Sequence, residues 1–249
     1  MDLFQAIVLG LLQGITEWLP ISSQGNVIIA GIKLFGMETE QVFSYSVFLH
    51  LGTVLAALIY FRKDIKEIIE MKNKNLMQFL IIAVLSTAIT AIPVYLLIKQ
   101  FAVNSMYLTL LIGLMLIVTG FLQWKKKSEK EVKENSKNAF LLGLGQEFSV
   151  IPGVSRSGIT TTVLLFEGFT PEKAFKLSFL LSIPSVLIAE IGFGVMEGIK
   201  FEMNLLLSIL IAFVVGFFSI KYLIEFSKKV NFSYFCFIIG IFYIIISFL

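Results

Sequence analysis

Charge is scarce in this chain. Only 15% of its 249 residues are charged while 57% are hydrophobic, and the mean hydropathy is +0.90. An ordinary soluble domain carries about 25% charged residues, so a water-bathed globular surface is excluded. The single cysteine, Cys236, excludes a disulfide framework and a cysteine-based metal centre. With one histidine, His50, there is no Cys/His metal cluster either. The chain has no Walker loop, no dinucleotide-binding glycine pattern and no basic-aromatic stretch for nucleic acid. Its apolar start has neither a basic n-region nor a clear cleavage site, and is not read as a removable signal peptide.

Long apolar runs are abundant. Stretches at 43–61, 76–98, 100–124, 175–195, 203–220 and 230–249 are each long enough to cross a hydrocarbon core of ~30 Å at ~1.5 Å per residue. The chain is therefore expected to be an all-α, multi-pass membrane protein with six spanning helices. Basic residues cluster in alternate connections. Arg62, Lys63, Lys66, Lys72 and Lys74 lie in 62–74, and Lys125, Lys126, Lys127, Lys130, Lys133 and Lys137 in 125–137. Lys173, Lys176, Lys221, Lys228 and Lys229 fall on the same side by this count, and only Lys33, Lys99 and Lys200 on the other. The positive-inside rule makes the rich side cytoplasmic and puts both termini outside.

The chain also repeats itself. Gly10, Gln13, Ser22 and Gly25 recur 133 positions later as Gly143, Gln146, Ser155 and Gly158. Phe43, Ser46, Leu49 and Phe61 recur 132 positions later as Phe175, Ser178, Leu181 and Phe193. Repeat 1 covers about 1–124 and repeat 2 about 138–249, joined by the loop 125–137 within a single membrane domain. Each repeat opens on a polar segment broken by Gly and Pro: residues 3–32 with Pro20, and 139–167 with Pro152-Gly153. Both read as re-entrant helical hairpins. With three spans in each half, the second half is inverted relative to the first, and the hairpin tips meet at a site near the midplane.

The chemistry of that site follows from its residue types. Arg156 presents a planar fork for phosphate, and an arginine inside a membrane segment demands an anion. Ser155 and Ser157 flank it with hydroxyls, and a helix starting after Pro152-Gly153 aims its positive end at the same anion. The half-helix after Pro20 does likewise from the other hairpin. Glu17, the only acidic residue of the first motif, is an acid/base or metal-ligand candidate, or the counter-ion of Arg156. One of Ser22 and Ser23 caps a helix and leaves the other free. Ser23 is the nucleophile candidate, with water assisted by Glu17 as the competing attack. Gln13 and Asn26 can donate to phosphate but cannot take up a proton. His50 reads as a packing residue more readily than as a proton-transfer group. Glu147 and Glu190 are weaker candidates, the latter placed near the outer, wet end of its span.

Gln13-Gly-Ile-Thr-Glu17-Trp-Leu-Pro-Ile-Ser22-Ser23-Gln-Gly25-Asn26 resembles the first motif of the undecaprenyl-diphosphate phosphatase family, the bacitracin-resistance type. Pro152-Gly153-Val154-Ser155-Arg156-Ser157-Gly158-Ile159-Thr160 is similar to its second motif at every fixed position, and His50-Leu51-Gly52-Thr53 to a third stretch. The chain departs from most described members at Gln13, where they have Glu, and at Asn26, where they have His. The resemblance implies an enzyme of the cell membrane that removes the terminal phosphate of a C55-type polyprenyl diphosphate. It implies Glu17, Ser23 and Arg156 as catalytic residues, and Gln13, Ser22, Asn26, Ser155, Ser157 and Thr160 as substrate-binding. It further implies a divalent cation, Mg²⁺ or Ca²⁺, with Glu17 as its ligand, and a site opening toward the outer face. The expected partners are the polyprenyl diphosphate lipid and the bilayer, with a homodimer allowed and no nucleic acid. The competing reading is a polyprenyl-phosphate or anion transporter, or a lipid flippase, working without hydrolysis.

Overall fold

The computed structural model describes residues 1–99, 105–124, 132–197, 202–227 and 232–248. Residues 125–131 of the expected connecting loop, 100–104 and 230–231 of the expected spans, and Lys200, Lys228 and Lys229 lie outside them. Among the described residues every regular element is helical. In chain order these are α1 (Leu3–Thr16), α2 (Ser23–Ile29) with a π-helical continuation (Ala30–Leu34), α3 (Thr39–Phe48), α4 (His50–Tyr60), α5 (Arg62–Ile69) and α6 (Lys74–Lys99). There follow α7 (Ser105–Trp124), α8 (Ser136–Glu147), α9 (Arg156–Phe166), α10 (Pro171–Glu197), α11 (Met203–Ser227) and α12 (Ser233–Ser247). Among the described residues four segments are long and apolar enough to cross a membrane: Thr39–Tyr60, Ser105–Trp124, Pro171–Val195 and Met203–Tyr222. Leu3–Thr16, the Lys74–Ile89 part of α6 and Ser233–Ser247 are shorter apolar stretches.

The two expected breaks are real interruptions. α1 starts on a reciprocal cap, Asp2 accepting from the Gln5 N–H at 2.8 Å while Gln5 Oε1 accepts from the Asp2 N–H at 2.9 Å. It stops at Thr16 ahead of Pro20, and α2 resumes from Ser22, whose Oγ accepts from the Gly25 N–H. In the second half α8 runs into a 3₁₀ turn (Phe148–Val150), and α9 resumes from Ser155, whose Oγ accepts from the Gly158 N–H at 3.1 Å. The reversal uses a left-handed residue in each half, Ser22 (φ 60°) in the first and Gly153 (φ 94°) in the second. A Cβ at Gly153 would sit 2.5 Å from Ile112 Cα, so the close approach there also requires glycine.

Packing follows the sequence repeat. α1 packs on α11, and its counterpart α8 packs on α6, the counterpart of α11. Two other corresponding pairs pack on each other, α4 on α10 and α7 on α12. The closeness of these contacts explains two of the repeated glycines. A Cβ at Gly10 would lie 2.6 Å from the Ser208 carbonyl oxygen of α11, and one at Gly143 would lie 2.3 Å from the Ala83 oxygen of α6. Small residues let backbones approach in this way when hydrophobic exclusion between helices is weak. Cross-helix hydrogen bonds add to it: Ser219 Oγ donates to the Gly14 oxygen at 2.9 Å, Thr87 Oγ1 to the Gly143 oxygen at 3.1 Å and Trp18 Nε1 to the Gly216 oxygen at 3.0 Å.

Side chains such as Phe121, Leu210, Val214, Phe218, Ile238 and Phe242 face outward on α7, α11 and α12. That is an apolar belt suited to lipid contact. α5 follows α4 directly, and its polar rim is tied by Lys72–Glu70 at 2.6 Å and Lys176–Asp64 at 2.5 Å.

Candidate functional site

The two breaks face each other. Ser157 Oγ of the second donates to the Leu19 carbonyl of the first at 3.1 Å, and Arg156 Nη2 donates to Glu17 Oε1 at 2.6 Å. Glu17 sits in the turn after α1, its side chain 5% exposed, and Arg156 is the first residue of α9, its side chain 13% exposed. Glu17 thus holds Arg156, while Glu147, the weaker candidate, is half-buried with its Oε2 enclosed and unpaired.

Donors surround the Glu17 carboxylate. Its Oε2 accepts from Ser23 Oγ at 2.6 Å and from Gln13 Nε2 at 2.8 Å, and lies 3.3 Å from His50 Nε2. Ser22 is the helix cap, which leaves Ser23 free to face Glu17. On the other side of the gap Ser155 and Ser157 exchange a hydrogen bond at 3.2 Å. The positive end of α9 opens on the same space, which favours an anion there. These groups line a polar pocket of about 310 Å³, its open mouth included. Glu17, Ser22, Ser23, Ser155, Arg156 and Ser157 stand in its wall together with Gln24, His50, Ser149 and Val154.

Three residues expected at the substrate lie behind this wall. Gln13 is fully buried, its Nε2 on Glu17 and its Oε1 unpaired. Asn26 Nδ2 donates to the Ile21 and Ser22 carbonyls at 3.1 and 2.9 Å, and its Oδ1 accepts from the Tyr243 hydroxyl. It is a brace across the first break. Thr160 Oγ1 donates to the Arg156 carbonyl at 2.7 Å and meets Ser178 Oγ at 2.6 Å, which fixes the first turn of α9.

Three pocket residues were given no role in the sequence reading: Gln24, Ser149 and Val154. Gln24 and Ser149 belong to the interrupted segments, and their position beside the caps is the signal that points to them. His50, read first as a packing residue, stands in the pocket wall, where the start of α4 brings its Nε2 to 3.3 Å from Glu17 Oε2. Glu190 is also placed differently from expectation. It is buried, 5% exposed, with Oε2 unpaired, and lies on α10 beyond the kink-prone Pro184, within electrostatic range of Glu17.

A resident divalent cation does not fit these residues. Glu17 is the single carboxylate of the pocket wall, and its oxygens already face an arginine, a hydroxyl and an amide as donors. Among the described residues no three His, Cys, Asp or Glu side chains gather as ligands.

The comparisons with known proteins agree with the motifs. The chain is 42% identical over 245 residues to the undecaprenyl-diphosphatase of Methanothrix thermoacetophila, covering 96% of this chain and 95% of that one. It is 36% identical over 264 residues to that of Methanococcoides burtonii, covering the whole of both. To that of Halothermothrix orenii it is 35% identical, covering 99% of both. The family described as bacitracin resistance protein BacA matches residues 6–244. The chain belongs to that family.

Proposed function

We propose that this membrane protein hydrolyses undecaprenyl diphosphate to the monophosphate carrier and inorganic phosphate, in the pocket between its two broken helix pairs. Family membership and the activity named for its relatives support the reaction. The observation that carries the location is the chain Arg156–Glu17–Ser23, in which a 2.6 Å bond from Arg156 joins the two motifs and a second of 2.6 Å ties Ser23 to the same carboxylate in one polar pocket. The reading without hydrolysis has no observation of its own to favour it.

The diphosphate enters against Arg156, Ser155, Ser157 and the α9 N-terminus. Arg156 exchanges part of its contact with Glu17 for phosphate oxygens, a match of planar fork to anion. Ser23 Oγ attacks the terminal phosphorus while Glu17 Oε2, already hydrogen-bonded to it, takes the proton. The bond to the polyprenyl monophosphate breaks, and water then cleaves the phosphoserine. Among the described residues no metal cage is present, and a divalent cation taking part would supply charge neutralisation to the diphosphate.

The topology we propose has six spans and two re-entrant hairpins in inverted repeats, with the Lys-rich connections cytoplasmic and both termini outside. Basic-residue placement and the exchanged packing pairs α1–α11 and α8–α6 support it. Phosphate release from C55 polyprenyl diphosphate by the purified parent and by Ser23→Ala tests the mechanism. The expected result is turnover in the parent and a loss of ~10³-fold or more in the variant. Retained turnover in Ser23→Ala would move the attack to water.

A further inference from the structure

His50 is clamped in a way that assigns its protons. At the joint between α3 and α4, its Nδ1 lies 2.8 Å from the Ser46 carbonyl oxygen and 3.1 Å from that of Val47. Carbonyl oxygens only accept, so Nδ1 carries a hydrogen. In a neutral ring the other nitrogen would then present a lone pair, yet Nε2 points at Glu17 Oε2 from 3.3 Å. A lone pair facing a carboxylate is repulsive, so a proton lies between them. Glu17 accepts from Arg156, Ser23 and Gln13, and three donors favour its ionised form. The proton therefore resides on Nε2, and the resting site is a chain of cation, anion and cation: Arg156, Glu17, His50.

Few other titratable groups surround that proton. From the turn after α1 the ring faces Glu17; from α9, Arg156 lies across that carboxylate; from α10, Glu190 lies within electrostatic range of Glu17. α11, packed along α4, has no titratable side chain between residues 203 and 220. On α3, Tyr45 is turned to Glu202, to which its hydroxyl donates at 2.9 Å.

We infer that His50 is a further catalytic residue, the proton carrier of the hydrolysis. This rests on the reading of the pocket as the diphosphatase site. In the first step Ser23 Oγ bonds to the terminal phosphorus, its proton goes to Glu17, and the Nε2 proton of His50 leaves on an oxygen of the departing polyprenyl monophosphate. In the second step water adds to the phosphoserine, and neutral His50 takes one of its protons. The phosphorus–Oγ bond breaks, and Glu17 returns its proton to Ser23. Each group ends as it began, and one water has been consumed.

The test uses full-length protein and C55 polyprenyl diphosphate in micelles, with His50→Gln beside the parent. The expected result is a kcat lowered ~10²-fold or more, with KM changed less than threefold. The alkaline fall of the parent pH profile should be missing, and phosphoserine at position 23 should accumulate because water has lost its base. An inactive parent would sink the diphosphatase reading itself. An active parent with an equally active His50→Gln, of unchanged pH profile, would overturn the role of His50 alone. Should His50→Gln fail to fold, the single histidine permits a reading on the parent. Nitrogen-15 NMR of histidine-labelled protein should show both ring nitrogens protonated at neutral pH in the resting site. A neutral ring would refute the proposal.

Discussion

Replacing Glu17 by Gln separates binding from turnover. In the resting site Arg156 is held by Glu17 Oε1 at 2.6 Å, and a phosphate oxygen must compete with that carboxylate for the guanidinium. A hydrogen bond between charged groups contributes about 1.5–3 kcal/mol. The amide of Gln keeps the shape but weakens this hold and removes a negative charge from a pocket that must accept an anion. At ~1.4 kcal/mol per decade, inorganic diphosphate should bind Glu17→Gln about 10- to 100-fold more tightly than it binds the parent. The same change removes the acceptor that lies 2.6 Å from Ser23 Oγ, so turnover should fall ~10²- to 10⁴-fold. Calorimetric titration with diphosphate and phosphate-release kinetics on the same preparation read the two effects. If affinity and turnover fall together, Glu17 is part of the anion site and not a competitor for Arg156, and the reasoning fails.

Other consequences follow from packing, cation chemistry and topology. Gly143→Val should destabilise the α8–α6 contact by about 1–3 kcal/mol, since even a Cβ there would lie 1.8 Å from Ser86 Oγ; Gly192→Ala, with nothing within 4 Å, should be neutral or stabilising in the same thermal unfolding assay in detergent. Mg²⁺ titrated into the substrate-free protein should give no saturable heat, while diphosphate should make it measurable; tight binding to the bare protein would contradict the donor set around Glu17. In oriented vesicles, a thiol introduced by Lys66→Cys, on the exposed face of α5, should be labelled from the cytoplasmic side and protected from the other.

Much of the site was legible because its chemistry is local. An arginine in an apolar segment needs a carboxylate, and a serine pair at a helix start divides into a cap and a free hydroxyl. Ser22 and Ser23 divide in that way, and Arg156 finds Glu17. The repeat was legible too, down to glycines at 10 and 143 that serve equivalent contacts. What could not be read is rotation about helix axes. His50 reaches Glu17 because α4 is seated on α11 at Gly52, where a Cβ would lie 2.3 Å from the Ile209 oxygen, and no local pattern reports that seating. Glu190 looks like the wet end of a span in a hydropathy profile, yet tertiary packing buries it. Gln13, Asn26 and Thr160 bear the right groups for phosphate, but each is spent on a carboxylate, a carbonyl or a hydroxyl of the wall. Polar motifs in membranes must satisfy their own backbone before they serve a ligand, and residue type alone does not divide the two duties.

The most direct test of the account is phosphate release from C55 polyprenyl diphosphate by the purified protein, parent beside Arg156→Ala, with binding of the lipid followed in parallel. The account predicts steady turnover in the parent, and in Arg156→Ala the loss of both turnover and most of the binding. A parent that binds the lipid through Arg156 but releases no phosphate would contradict it.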